Sequence, residues 1–506
     1  MNTQKTLSQK RIYLLLAAIC LPFMSYAFNP QSDSTKVPKT VNVITKHSVK
    51  IGNVTINYTA TVGTLIIHDQ EGKPIASFGY IAYIKDGVTD LTKRPVTFAY
   101  NGGPGSSSIW LHMGALGPKR VVLDDPYNKM PPPFTMADNN YSILDVTDLV
   151  MIDPVGTGIS KAVGKAKDKD FWGVDQDIES VSKFIKEYIK KYNRWNSPKY
   201  LLGESYGTTR SAGIVDYLQE DMGISVNGVV LVSTILSFNT LSFADGNDLP
   251  YILYLPTYAA VAWFHNKLPN KPGNLETFIK QVRDFAKGEY SNALFVGKSL
   301  DSLTKDEILN KLHEYTGLSK LYWDRANLRV SEPQFTKELL RNEGMTTGRL
   351  DARYSGYSQD LLGEYARYDP QSTAISPAYI GLFMEYYYNQ LKAPETENYV
   401  VSAYDQKDFS WNWNRAGRSR WASFVNTGTD LQDAMTKNPN LKILVYNGYF
   451  DLATPFFATE YTMDHLDLPA SIRKNIIMKY YKAGHMMYIH KESLPEFKAA
   501  IADFIK

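Results

Sequence analysis

The most constraining stretch of this chain is Tyr200-Leu201-Leu202-Gly203-Glu204-Ser205-Tyr206-Gly207, followed by the helix-like Thr208 to Leu218. The apolar start reads as a buried strand, and the serine between two glycines reads as a sharp turn into the helix. With no Cβ on either flank the backbone reverses tightly and leaves the hydroxyl exposed. G-x-S-x-G alone is a weak pattern, but between a strand and a helix it marks a nucleophile elbow and calls for a sheet with helices packed on it.

The rest of the chain supplies that sheet. Val96 to Tyr100, Leu149 to Ile152, Val229 to Val232 and Leu441 to Tyr446 are further short apolar runs, each followed at once by Asn, Asp, Gly or Ser. Runs of this type are expected as parallel strands covered on both faces. Asp175 to Tyr192 carries Ile178, Val181, Phe184, Ile185, Tyr188 and Ile189 at helical spacing and is expected to be a crossover helix. Val41 to Tyr83 alternates apolar and polar residues, the pattern of antiparallel strands. From about Ser237 to about Pro439 the strand pattern gives way to helical segments such as Leu275 to Tyr290 and Lys305 to Tyr315, then resumes at Leu441. The expected class is α/β: a mostly parallel central sheet formed by residues 28–236 and 440–506, N-terminal antiparallel strands, and a mainly helical cap insertion over 237–439.

Charge and cysteine content remove several functions. The formal charge of +3 resides in Lys5, Lys10 and Arg11, within 27 residues that hold no acid, so the remainder is neutral and gives no reason to expect nucleic acid or an anionic membrane as partner. Those cations precede the apolar run Ile12 to Met24, which Pro22 interrupts, and Ser25-Tyr26-Ala27 ends it with small residues. This is the pattern of an export signal over residues 1–27, too short for a membrane span. It implies a periplasmic or extracellular protein with no integral span after cleavage. The single cysteine, Cys20, lies inside that signal, so neither disulfides nor a Cys-ligated metal are expected.

A serine hydroxyl needs a base, and the base needs an orienting acid. In chain order Ser, Asp, His, the residues just past probable strand ends are Asp451, after Asn447-Gly448, and His485, after Ala483-Gly484; His490 and Asp464 are the rivals. Asn101-Gly102-Gly103-Pro104-Gly105 follows the strand Val96 to Tyr100 and is suited to an oxyanion hole, with the Tyr206 amide as second donor. Gly297-Lys298-Ser299 and Gly156-Thr157-Gly158 fall short of phosphate-loop and dinucleotide motifs, so no nucleotide cofactor is expected. Tyr386-Tyr387-Tyr388 and Trp411-Asn412-Trp413 either line a pocket or form core.

Asn101 to Ser107, Asp153 to Gly158, Gly203 to Tyr206, Gly448 to Asp451 and Gly484-His485-Met486 together resemble the serine carboxypeptidases, in that family's order. The resemblance implies an α/β-hydrolase fold, no cofactor or metal, and a peptide substrate with a free C-terminus. It implies Ser205 as nucleophile, His485 as base, Asp451 as its orienting acid, and the Gly103 and Tyr206 amides as the oxyanion hole. It also places the terminal carboxylate on Asn101, the Gly102 amide and Glu204. Members of the family pair that glutamate with a second one, whereas Met113 to Pro118 here puts Ala115 at the corresponding place. Glu204 is therefore expected to be kept protonated by desolvation, with activity falling as pH rises. Two other departures are Ser106 at a family cysteine position and the absence of the family's Trp at Ala99-Tyr100. An esterase or acyltransferase on the same fold, and a non-catalytic binding protein on a hydrolase scaffold, are the competing functions.

Overall fold

The computed structural model describes residues 37–123, 127, 131–416 and 424–506, so the expected export signal lies outside the described residues. The chain opens with three long strands, β1 (Asn42–Ile51), β2 (Val54–His68) and β3 (Pro74–Lys85), paired antiparallel as their alternation predicts. β4 (Val96–Tyr100), a small hairpin of β5 (Lys119–Val122) and β6 (Thr135–Asp138), β7 (Asp148–Ile152) and the short β8 (Lys161–Ala162) follow. Then come β9 (Lys199–Glu204), β10 (Gly228–Val232), a hairpin of β11 (Met345–Thr347) and β12 (Ser355–Tyr357), β13 (Lys442–Gly448) and β14 (Ile476–Tyr481).

One sheet collects most of these in the order β1-β2-β3-β7-β4-β9-β10-β13-β14, with β8 beside β3. β3 meets β7 antiparallel, and every neighbour from β7 to β14 is parallel. β4, β7, β9 and β10 are buried along their whole lengths, which is why they read as continuous apolar runs. Alternate residues face opposite layers. Leu201, Val229 and Leu231 pack with Ile178, Val181, Phe184 and Ile185 of the crossover helix Val174–Lys191, while Leu202 and Val230 face the C-terminal helix Leu494–Ile505 through Phe497, Ile501 and Phe504. Each such side chain contributes about 1.5–3 kcal/mol by burial.

Between β10 and β13 the chain forms helices Leu249–Phe264, Leu275–Phe285, Ser302–Thr316 and Pro370–Glu385 and several shorter ones. The first of these helices carries a core of its own, in which Leu255, Tyr258, Trp323 and Phe335 are buried with Phe450, Phe456 and Phe457 from beyond β13. The segment after β13 is thus packed into the insertion.

Candidate active site

The ends of β4, β9, β13 and β14 converge on one cleft of about 300 Å³. At its floor Ser205 has φ 59° and ψ −129°, a conformation that costs a non-glycine residue about 1–3 kcal/mol. It is held there from both sides: its N–H donates to Val232 O on β10 at 2.9 Å, and its carbonyl accepts from Thr208 N at 2.8 Å in the first turn of helix Tyr206–Glu220. Gly203 is required because a Cβ there would stand 2.1 Å from Gly207 O. Gly102 is required in the facing loop, where a Cβ would lie 2.5 Å from Tyr206 N and 2.7 Å from Glu204 O. That close approach places Gly102, Gly103, Ser205 and Tyr206 along one wall of the cleft.

The loop and the elbow are locked together by a buried ion pair. Arg210 Nε donates to Asp177 Oδ2 at 2.7 Å and its Nη1 to Asn101 O at 2.7 Å, with the guanidinium near the Tyr100 and Tyr206 rings. Both charges are buried, so the pair joins the crossover helix, the elbow helix and the end of β4. Asp153 braces the same region by accepting from Ser108 N and Oγ, each at 2.8 Å.

His485 lines the cleft and Asp451 lies behind it, fully buried. His485 Nδ1 stands 2.8 Å from Asp451 Oδ2, and the same carboxylate accepts from Ala453 N, Thr454 N and Thr454 Oγ1 at 2.8, 2.9 and 2.7 Å. With Nδ1 bound to the carboxylate, Nε2 keeps its lone pair for the cleft. Burial lowers the imidazole pKa, but the charge and hydrogen bond of Asp451 outweigh it and leave His485 raised above 6.5. The rivals are placed elsewhere. His490 is buried in a cluster with Arg353 and Asp351, and Asp464 sits exposed beside Arg473.

One strip of the insertion, residues 349–353, holds both of these loops. Leu452 N donates to Arg349 O at 3.0 Å, Ala352 N to Phe450 O at 3.0 Å, and His485 N to Leu350 O at 2.7 Å. Asp351 Oδ2 accepts from Gly484 N at 3.1 Å, and Arg353 Nη1 donates to Lys482 O at 2.6 Å.

Glu204, next to the serine, is buried against the cleft and accepts from Tyr488 Oη at 2.6 Å. Burial pushes its carboxyl up to about 7 against the opposing influence of His485, the Tyr488 hydroxyl and the Asn101 amide. Asn101 Oδ1 is itself fixed by Leu111 N at 3.0 Å. Ala115 is buried in the helical turn 112–116, its carbonyl accepting from Asn139 Nδ2 at 2.8 Å. The group that meets Glu204 is thus a tyrosine hydroxyl.

Tyr488 escaped the sequence reading, as did the cleft residues Trp110, Arg349, Ser372, Ile375 and Ser376. The Gly484-His485 turn was the only nearby signal for Tyr488; Trp110 follows the Asn101 to Ser107 loop, and the others come from the segment between β10 and β13, which has no recognisable motif. Tyr386 and Tyr387 are core residues, whereas Trp411 packs on the Tyr206 ring at 5.3 Å. Among the described residues no three metal-binding side chains cluster, and no helix is long and apolar enough to cross a membrane.

Residues 80–241 match the family model of the serine carboxypeptidases, a span that includes Asn101, Gly102, Gly103, Glu204, Ser205 and Tyr206. A pheromone-processing carboxypeptidase, KEX1, of Yarrowia lipolytica is 29% identical over 144 residues, 28% of this chain and 22% of that protein's length. A serine carboxypeptidase-like protein of Arabidopsis thaliana is 22% identical over 402 residues, 76% of this chain and 67% of the relative. The crystal structure of a prohormone-processing carboxypeptidase of Saccharomyces cerevisiae superposes with a TM-score of 0.50 at 15% identity, covering 88% of this chain and 92% of that one, which shows the shared α/β-hydrolase fold. The chain thus has an α/β-hydrolase fold, and its residues 80–241 are similar to the serine carboxypeptidases.

Proposed function

We propose that the protein is an exported serine carboxypeptidase that removes C-terminal residues from peptides through an acyl-enzyme. The observation that carries this reading is a buried Glu204, its carboxyl pushed up by burial to about 7, sharing one cleft with Ser205 and a His485 whose Nδ1 is tied to Asp451. A protonated carboxyl donates a hydrogen bond to a terminal carboxylate, where an ionised one would repel it.

In the proposed cycle His485 Nε2 takes the Ser205 proton as Oγ attacks the last peptide carbonyl. The Gly103 and Tyr206 amides hold the developing oxyanion, a contribution of about 2.7–4 kcal/mol per donor. The C–N bond then breaks, His485 protonates the departing amine, and a free amino acid leaves an ester on Ser205. Water, deprotonated by His485, hydrolyses it. Asn101, the Gly102 amide and Glu204 fix the terminal carboxylate, and residues 237–439 roof the cleft as a cap. The basic and apolar N-terminus, residues 1–27, supports export.

The replacement of a second acid by Ala115 favours a second reading, an esterase or acyltransferase that uses the same acyl-enzyme on esters in place of peptides. Mass spectrometry over time of free-acid peptides, C-terminally amidated peptides and esters, with wild type and Ser205→Ala, separates the two. Stepwise trimming of free acids alone, absent in Ser205→Ala, is expected. Intact peptides alongside hydrolysed esters would establish the second reading instead.

A further inference from the structure

Arg349 brings a permanent positive charge to the cleft. Its side chain lines the same cavity as Glu204, Ser205 and His485, and it is 54% exposed. Its backbone is fixed at both ends, the N–H donating to Asp369 Oδ2 at 2.6 Å and the carbonyl accepting from Leu452 N at 3.0 Å. Asp369 also caps helix Pro370–Glu385, accepting from Ser372 N at 2.8 Å, so the arginine is anchored to the wall that carries Ser372 and Ile375.

The guanidinium itself is underused. Among the described residues it makes no hydrogen bond, and the one carboxylate within reach is Glu332, 4.0 Å from Nε. Glu332 is buried, its other oxygen accepts from Thr336 Oγ1 at 2.9 Å, and burial raises its carboxyl pKa. Five N–H donors in a rigid fork are therefore available to a ligand. The other acid and base among the described residues lining the cleft are Glu204 and His485, so Arg349 is the one permanently charged side chain in that lining.

We infer that Arg349 selects substrates with an acidic side chain beside the scissile bond by pairing its guanidinium with that carboxylate. The inference rests on the carboxypeptidase reading and deepens it. A substrate has two kinds of carboxylate, side-chain and terminal, and Glu against Gln distinguishes them, because only the side-chain charge changes.

The test measures kcat/KM for N-acyl dipeptides with Glu or Gln at the last or the penultimate position, using wild type, Arg349→Gln and Arg349→Lys. Wild type should prefer Glu over Gln at one of these positions by roughly tenfold, Arg349→Gln should bring the ratio near one, and Arg349→Lys should keep part of it. A wild-type ratio near one at both positions, or a ratio unmoved by Arg349→Gln, overturns the inference. The latter includes a uniform loss on both peptides, which would put the terminal carboxylate on Arg349. Calorimetric binding of the same pairs to Ser205→Ala reads the arginine without turnover. Tighter binding of the Glu peptide with no cleavage by wild type would sink the carboxypeptidase reading and keep the anion site. Equal or absent binding there sinks the anion site.

Discussion

Replacing Glu204 by glutamine should reshape the pH profile of free-acid turnover on both sides. Burial lifts the Glu204 carboxyl to about 7, so at pH 8 roughly a tenth of the enzyme retains the proton that the terminal carboxylate needs. From pH 5 to pH 8 the contribution of that donor to kcat/KM should therefore fall about tenfold in wild type. Glutamine has an N–H donor at every pH, so the alkaline fall should vanish. Tyr488 can still donate to the amide oxygen.

The acid side moves too, through His485. The imidazole must be neutral to act as base, and the Glu204 charge is one of the influences that raise its pKa, after Asp451. Removing that charge should shift the acid limb downward. In wild type both limbs belong to the coupled pair and not to either residue alone. The assay is kcat/KM between about pH 4 and 9 for an N-acyl dipeptide and for an ester without a free carboxylate, in both enzymes. The ester should lack the alkaline limb even in wild type. An alkaline limb that persists in Glu204→Gln, or that the ester shares, would refute the role given to Glu204.

Tyr488→Phe removes a hydrogen bond that favours the ionised Glu204, so the alkaline limb should move up by about one to two pH units, read in the same assay. Gly102→Ala would set a Cβ 2.5 Å from Tyr206 N, and kcat should fall at least about 100-fold as the oxyanion loop is pushed off the elbow. The rate of fluorophosphonate labelling at Ser205 should fall with it. Asp177→Ala strands the buried Arg210 charge and should cost about 3–5 kcal/mol in denaturant unfolding, much of it recovered by Asp177→Ala with Arg210→Met.

Local rules reach far into this fold. The strands were legible because burial on both faces leaves only apolar residues in runs such as Val229 to Val232, and the crossover helix because its polar face breaks the run at helical spacing. The helix Leu249–Phe264 was not, since it is apolar nearly all round, contains Pro256, and shows no period to read. At the site, Ser205, Asp451 and His485 stand just past strand ends, where chain order and turn residues mark them. Tyr488 and Arg349 carry no such mark. Their places in the cleft depend on how segments far apart in the chain pack, and the residue types alone fit any surface or core.

The strip 349–353 shows why packing matters for the chemistry as well. Asp451 and His485 leave neighbouring parallel strands, and their loops are joined directly where Tyr449 N donates to Tyr481 O and Phe450 N to Ala483 O, each at 3.0 Å. The insertion adds a second brace: Arg349 O and Ala352 N bind the loop after β13, while Leu350 O and the Asp351 carboxylate bind the loop after β14. A segment of the insertion thus bridges the loops that carry the 2.8 Å contact between His485 and Asp451. Asp351 is fixed in turn by Arg353, whose guanidinium donates to it at 2.9 and 2.6 Å. The same strip carries Arg349 into the cleft, so the element that braces the loop of His485 also lines the cavity beside it.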